Sequence, residues 1–479
     1  MSVLMISAEG PPLHRGGALM EVLAALPEEL RARGHQVSVV LPFYREIREN
    51  DEFHPRETGV TVDLRVGEET HVAEYLESET ESGLQLFLIR ADAFFDRPGI
   101  YGEGGVAYED NAARFVFLAK AAIELARRLT PVPQILHCHD WGAALVPVYV
   151  EAHALSFRTV LTIHRISEQG SFWGLDFDLT NLPSRYFTLR GLEFFGRLNF
   201  LKSGIVFADR VTTVSEHYRQ EILERDAGAG LEAVLRENSF KMSGILSGID
   251  HARWDPVVDK LLPATFGIDD LAGKQKCRDL LLKKLQLAPS PRGPVFSVVT
   301  RVVSEKGFDL LTPLLDRLLA DDVRLIILGG GEVAFETALA VAARRYPAKF
   351  IYRRDYDEDL AHLIEAGADI TLTPARFEPS GLLAMQSLQY GTLPVAHAGG
   401  GIREIVQDYD PVTDSGYGFL FYDYTADAFW DAIKRATAIF ADTDRWNSLR
   451  QRAMRQEFSW ARATEKYEEL YRGLVGDES

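Results

Sequence analysis

The sequence predicts an α/β protein made of two parallel sheets in tandem, facing each other across a deep cleft. Three observations predict it. Short apolar runs alternate with helix-period segments from the first residues onward, and again from Val295, which is the pattern of βαβ units. Between the two series Pro256, Pro263, Pro289, Pro291 and Pro294 interrupt the alternation, as expected where one folding unit gives way to another. The chain has 479 residues, and at roughly 150 residues per domain that suits two large units or three small ones.

The first series opens with a strand Val3 to Ile6, a Gly/Pro turn from Gly10, a helix Ala18 to Arg33 stopped by Gly34, and a strand Val37 to Leu41. A parallel pair with a crossover helix follows from this order. Residues 48–82 read differently, as short alternating strands with eleven Asp and Glu against Arg48, Arg56 and Arg65. They are expected to form an acidic, solvated hairpin excursion. Helix and strand then alternate through Ala112 to Arg128, Gln134 to His137, Ala143 to His153 and Thr159 to Ile163, followed by Gly- and aromatic-rich loops to Leu192. Loops at strand ends are where such sheets keep ligands.

The second series is regular. Strands Val295 to Thr300, Val323 to Leu328, Lys349 to Tyr352, Ile370 to Thr373 and Leu393 to His397 alternate with helices Phe308 to Leu319, a segment keyed by Phe335, Leu339 and Tyr346, Glu358 to Ala366, and Leu382 to Tyr390. Both series are therefore expected to be Rossmann-like. The division expected is 1–250, with its excursion at 48–82, a linker 251–292, a second domain 293–455, and a C-terminal helix within 456–479 packing back on the first domain.

Composition narrows the function. With 52 Lys+Arg against 70 Asp+Glu the net charge is −18, which argues against a nucleic-acid binder, because such proteins need a basic face. Hydrophobic residues at 46% are enough for sizeable cores. No run approaches a membrane span, and no secretion signal is visible at the amino terminus. Cys138 and Cys277 are the only cysteines, too few for a disulfide framework, so a cytoplasmic protein is expected.

The motifs carry more. The first turn, Ala8-Glu-Gly-Pro-Pro-Leu-His-Arg-Gly16-Gly17, is neither a dinucleotide fingerprint nor a Walker loop. A glycine pair opening a helix suits phosphate through backbone N–H groups, or serves the turn alone. His137-Cys-His139-Asp140 places two imidazoles on one face of a strand, a spacing that also occurs in metal sites. Asp355-Tyr-Asp357 and Asp408-Tyr-Asp410 match a three-residue metal pattern that arises readily in an acidic chain, and both are discounted.

Ordered runs along nearly the whole chain, among them Ser7-Ala-Glu-Gly-Pro-Pro-Leu-His-Arg-Gly-Gly, His137-Cys-His-Asp-Trp, Leu198-Asn-Phe-Leu-Lys-Ser-Gly, Thr300-Arg-Val-Val-Ser-Glu-Lys-Gly and Arg376-Phe-Glu-Pro-Ser-Gly-Leu, resemble bacterial glycogen synthases and plant starch synthases. The resemblance implies a GT-B glycosyltransferase that moves glucose from ADP-glucose to the non-reducing end of an α-1,4-glucan with retention, with an acceptor-side first domain and a nucleotide-sugar-binding second domain. It implies no cofactor and no metal, and neither a nucleic-acid nor a membrane partner.

Residue by residue, the resemblance makes Glu378, His164 and Asp140 catalytic. Donor contacts fall on Arg301, Lys306, His14, Arg15, Gly16, Gly17, Tyr356, Ser380, Gly381 and Leu382, and sugar or acceptor contacts on Glu21 and Ser247. The chemistry is apt. Arg301 and Lys306 supply cations for a departing diphosphate, Glu378 can hold sugar hydroxyls or stabilise an oxocarbenium-like sugar, and Tyr356 offers a face to adenine. Each has a plainer reading as well: a solvated pair for the two cations, helix capping for Glu378, a core position for His137.

The pattern also departs from the family. His14 stands in place of the usual Lys, Gly142 of His, Arg165 and Ser247 of Asn, Ser380 of Cys, and Leu383 and Gly399 of Thr. His14 or Arg15 can replace the Lys cation; if His14 does, a nearby diphosphate favours its charged form and donor binding is expected to weaken above roughly pH 6.5 to 7.5. Arg165 brings a charge to the glucose side, which leaves open another donor, an anionic acceptor, or a relative that binds glucan or nucleotide-sugar without turnover.

Overall fold

The computed structural model describes residues 1–13, 17–80, 82–290 and 292–476. The chain divides into two compact units, Met1–Ser247 with the segment from Trp460 onward, and Gly248–Ser459.

In the first unit the strands are, in chain order, β1 (Ser2–Ile6), β2 (Gln36–Pro42), β3 (Arg56–Val66), β4 (Glu69–Glu79), β5 (Gln85–Arg90), β6 (Gly102–Glu103), β7 (Val106–Ala107), β8 (Ile135–His139), β9 (Arg158–Ile163), β10 (Ser171–Trp173), β11 (Glu193–Phe194), β12 (Arg197–Asn199), β13 (Arg210–Thr213) and β14 (Met242–Gly244). Nine of them form one sheet in the order β14-β13-β9-β8-β1-β2-β5-β4-β3. It is parallel from β14 to β5, and antiparallel at its β5–β4–β3 edge. Every residue of β1 and β8 is buried, because helices cover both faces of the parallel part and leave no strand face for water.

The acidic excursion is the antiparallel edge of this same sheet, joined to it through β5, a strand not anticipated from the sequence. Leu64, Val66, Ala73, Tyr75 and Leu76 are buried, while the charges pair locally, Arg56 with Glu77 and Arg90 with Glu57 and Glu74. Charged side chains on an edge strand also discourage pairing with other chains.

The C-terminal helix Trp460–Val475 belongs to the first unit and buries Trp460, Ala463, Tyr467 and Tyr471. Tyr471 Oη is hydrogen-bonded to His137 Nδ1 at 2.7 Å, and His137 Nε2 to Thr162 Oγ1 at 2.6 Å. Glu468 pairs with His35 at 2.7 Å and Arg33 at 3.4 Å.

The second unit is a six-stranded parallel sheet of β15 (Val295–Val299), β16 (Arg324–Leu328), β17 (Phe350–Arg353), β18 (Ile370–Thr373), β19 (Leu393–His397) and β20 (Phe419–Phe421), ordered β17-β16-β15-β18-β19-β20. Pro313 lacks an N–H and breaks the helix expected over Phe308 to Leu319 into Phe308–Leu311, a 3₁₀ turn Thr312–Leu314, and Leu315–Ala320. The segment expected as a linker over 251–292 is instead an integral layer of this unit. Its helix Ala272–Lys284 lies against helix Glu358–Gly367, with Gly367 allowing close approach to Leu281 and Cys277. Lys274 Nζ donates to the carbonyls of Ala366 and Tyr390 and to Thr392 Oγ1, at 2.8 to 3.1 Å. Among the described residues no helix is long and apolar enough to cross a membrane.

Candidate functional site

In the first unit the chemistry collects where β8 and β9 end. His139 closes β8 and Asp140 follows it in left-handed backbone, φ 53, a conformation that costs a non-glycine residue energy and recurs at working sites. That turn brings the Asp140 carboxylate under the end of β9, where Oδ1 accepts from the His164 backbone N–H at 2.7 Å. Burial pushes the Asp140 carboxyl up to about 8, which favours the protonated form, able to donate a hydrogen bond as well as accept one.

Behind it lie two imidazoles. His139 Nδ1 is 3.1 Å from His164 Nε2, and burial holds His164 down to about 3 and His139 well below its usual value. Two neutral rings share one proton along that contact. Among the described residues His164 Nδ1 and His139 Nε2 have no partner although both are buried. A buried polar atom left without a partner is costly, and both nitrogens belong to the cluster that Asp140 joins through the His164 N–H. His137 has both nitrogens engaged in the core, with Tyr471 and Thr162, which leaves it none for a metal.

Of the other first-unit positions, Gly17 precedes helix Ala18–Ala32 and is exposed, Glu21 is half-buried in that helix's first turn, and Ser247 is buried at the end of the unit. His14, Arg15 and Gly16 lie outside the described residues. Arg165 carries its charge into an ion pair with Glu168 at 2.7 Å, so it does not present an isolated cation beside His164. At Gly142 a side chain would press on Ala8 and Phe115, and helix packing there requires the glycine found where the family has His.

In the second unit the expected residues follow the C-terminal ends of three strands: Arg301 after β15, Tyr356 after β17, Glu378 to Leu382 after β18. Lys306 Nζ lies 2.6 Å from Glu378 Oε2, with the side chains only 13% and 15% exposed. Lys306 ends a 3₁₀ turn closed by Gly307, where left-handed backbone and the nearby Pro374 carbonyl leave no room for a Cβ. Helix Leu382–Gln389 starts at Gly381, also left-handed, with Ser380 buried just before it. Arg301 and Tyr356 are exposed, Tyr356 by 63%.

Sequence reasoning passed over two contributors. His139 stands in the sequence as half of a pair spaced for metal, although its hydrogen-bond partner is His164. The other contributor is the glycine run Gly399-Gly400-Gly401 after β19. The Gly401 N–H donates to the Glu378 carbonyl at 2.9 Å, and a Cβ on Gly400 would overlap that same oxygen. The triple glycine is thus the seat on which the Glu378 backbone rests.

A parallel-sheet unit ending in a buried neutral polar cluster, and another ending in a cation–carboxylate pair, define a two-domain glycosyltransferase of the GT-B type. Residues 2–237 match the family described as starch synthase catalytic domain, and residues 283–449 match glycosyl transferases group 1. A glycogen synthase of Anaeromyxobacter dehalogenans is 41% identical over 484 residues, 99% of each chain. One of Koribacter versatilis is 38% identical over 478 residues, 98% of each. The catalytic domain of starch synthase IV from Arabidopsis thaliana, solved with ADP and acarbose, superposes with a TM-score of 0.90 at 30% identity over 99% of each chain. A sucrose-phosphate synthase from Thermosynechococcus elongatus shares the fold, at TM-score 0.61 and 17% identity. This chain belongs to the glycogen and starch synthase family.

Proposed function

We propose that the protein transfers glucose from ADP-glucose to the non-reducing end of an α-1,4-glucan, with retention at the anomeric carbon. The observation that carries the reading is the Lys306–Glu378 pair at the C-terminal edge of the second sheet. A cation and a carboxylate so close suit the two charges of the transition state, one on the leaving diphosphate and one on the sugar. Lys306 and Arg301 take the diphosphate, while Glu378 faces the oxocarbenium-like sugar. Asp140 and His164 hold glucose hydroxyls, and Tyr356 lies on the base. The C1–O bond to the diphosphate breaks, the acceptor 4-oxygen forms its bond to C1 on the same face, and its proton passes to the departing phosphate oxygen. Both cysteines are free and buried, which supports a reducing, cytoplasmic setting.

Labelled ADP-glucose and, separately, UDP-glucose are incubated with glycogen. Transfer from ADP-glucose and its loss in Glu378→Ala are expected. No transfer from either donor sinks the reading, and preference for UDP-glucose sinks the donor assignment.

A further inference from the structure

The three-stranded sheet β10-β12-β11 holds rings that the transfer site leaves unused. Strand alternation turns Phe172 inward, its ring 5.9 Å from Trp141 and 4.8 Å from Phe200. Trp141 is the residue after Asp140, so the inner face of this small sheet rests on the first unit's site. The same alternation turns Trp173 outward, 66% exposed. Trp173 pairs directly with Arg197 across β10 and β12, and Phe194 pairs with Arg197 across β11 and β12. The Arg197 guanidinium is anchored by Ser171, Nε donating to Oγ and a terminal nitrogen to the carbonyl, each at 2.9 Å.

The β11–β12 turn then presents Phe195, 85% exposed and at φ 49. Left-handed backbone suits Gly or Asn and penalises a bulky side chain, and water penalises an exposed ring. Folding alone would not put phenylalanine there. Residues kept at such a cost usually serve a ligand.

Aromatic faces beside a fixed hydrogen-bond donor fit a ring that has apolar C–H faces and a hydroxyl rim, that is, a pyranose. Between 171 and 199, Arg185, Arg190 and Arg197 balance Asp176, Asp178 and Glu193. A locally neutral surface on a chain of net charge −18 suits an uncharged polymer better than a nucleic acid or an anionic membrane. We infer that the outer face of β10-β12-β11, through Trp173 and Phe195, is a stacking platform for α-glucan, holding glucose units other than the one that reacts. The inference rests on the reading of the chain as an α-glucan glucosyltransferase.

The test uses the full chain with Trp173→Ala, Phe195→Asn and both together. Asparagine relaxes the turn, so Phe195→Asn is expected to fold at least as well as the parent. Retardation in native gels containing glycogen, KM for glycogen, kinetics on maltotriose and sedimentation are compared. For the double variant, glycogen affinity should weaken and KM for glycogen should rise about tenfold, with maltotriose kinetics within about twofold of the parent. Unchanged retardation and KM overturn the platform. So does an equal loss on maltotriose, which would put the rings at the reacting end, or a fall from dimer to monomer, which would make the face a contact between copies. Ring-dependent retardation by a parent protein that transfers nothing would keep the platform while removing the enzymatic reading.

Discussion

Replacing Glu378 by glutamine separates nucleotide binding from transfer. In the free protein the Lys306 ammonium group is engaged by the Glu378 carboxylate, 2.6 Å away, so a diphosphate must compete with that carboxylate for the cation. At this separation the gross attraction is about 6 kcal/mol at an effective dielectric of 20, and about 1.6 kcal/mol in bulk water. Desolvation offsets most of the first figure, and fully exposed pairs measure about 0.2–1 kcal/mol. With the side chains 13% and 15% exposed, a net of about 1–2 kcal/mol is reasonable for what ADP has to overcome. Glutamine keeps the shape and removes the charge, so ADP affinity should rise about 5- to 30-fold. Transfer should fall about 10²- to 10³-fold, the usual cost of losing one group aimed at developing charge.

Calorimetric titration with ADP and label transfer from ADP-glucose to glycogen measure the two quantities on one preparation. Opposite movement of affinity and rate is the signature expected. If both fall together, Glu378 supports the nucleotide and the assignment to the sugar is wrong. If neither moves, the pair is only structural. Lys306→Ala provides the converse, with weaker ADP binding.

Gly400→Ala would force a Cβ against the Glu378 carbonyl in left-handed backbone, φ 52. About 2 kcal/mol of stability and most of the transfer activity should be lost; a variant with parental melting and rate would refute the seat. Burial holds His137 and His164 down to about 3, so below pH 6.5 the unfolded chain takes up protons that the native state refuses. Stability should drop by about 2 kcal/mol per imidazole between pH 7 and 5. Urea unfolding should show this, and an acid slope undiminished in His137→Gln would contradict it. Asp140 has the opposite sign: burial raises it to about 8, so ionising it costs the native state increasing stability as pH climbs from about 4 to 8, on the order of 4 kcal/mol by pH 7. Asp140→Asn should therefore slow transfer yet raise the melting temperature more at pH 8 than at pH 5, and an equal gain at both would argue against a buried carboxyl.

The alternation of strand and helix was legible because period 2 and period 3.6 survive in sequence wherever one face is buried. It failed at residues 251–292, where Lys274 and Arg278 look like solvent-facing charges. Their burial depends on carbonyls of Ala366 and Tyr390 and on Asp369, nearly a hundred residues away. It missed β5 as well, although Gln85–Arg90 carries the apolar run Leu86-Phe-Leu-Ile89 after Gly83. The candidate site residues were named from motifs. The partners of those residues were not, since the contacts of His139 with His164 and of Gly401 with Glu378 join different strand ends. Phe195 had a local signal in retrospect, an aromatic just before Gly196 in a turn where Asn-Gly would be the easier choice.

The two units solve different electrostatic problems with different kinds of groups. The first offers neutral ones. His139 and His164 are held uncharged by burial, and Asp140 is shifted toward its protonated form. Neutral donors and acceptors match sugar hydroxyls without burying a net charge against them, which would be costly in so dry a place. The second offers formal charges, Lys306 with Glu378, less completely buried, and these match a diphosphate whose charge grows as it leaves. Exchanging the sets would fail on both sides, because imidazoles this deeply buried cannot neutralise a diphosphate and an ion pair would not discriminate among hydroxyls. The acidity of the whole chain is no obstacle to an anionic donor on this account. Residues 48–82 carry −8 of the −18, and their β3–β4 edge is separated from β8 and β9 by β5, β2 and β1 in the same sheet.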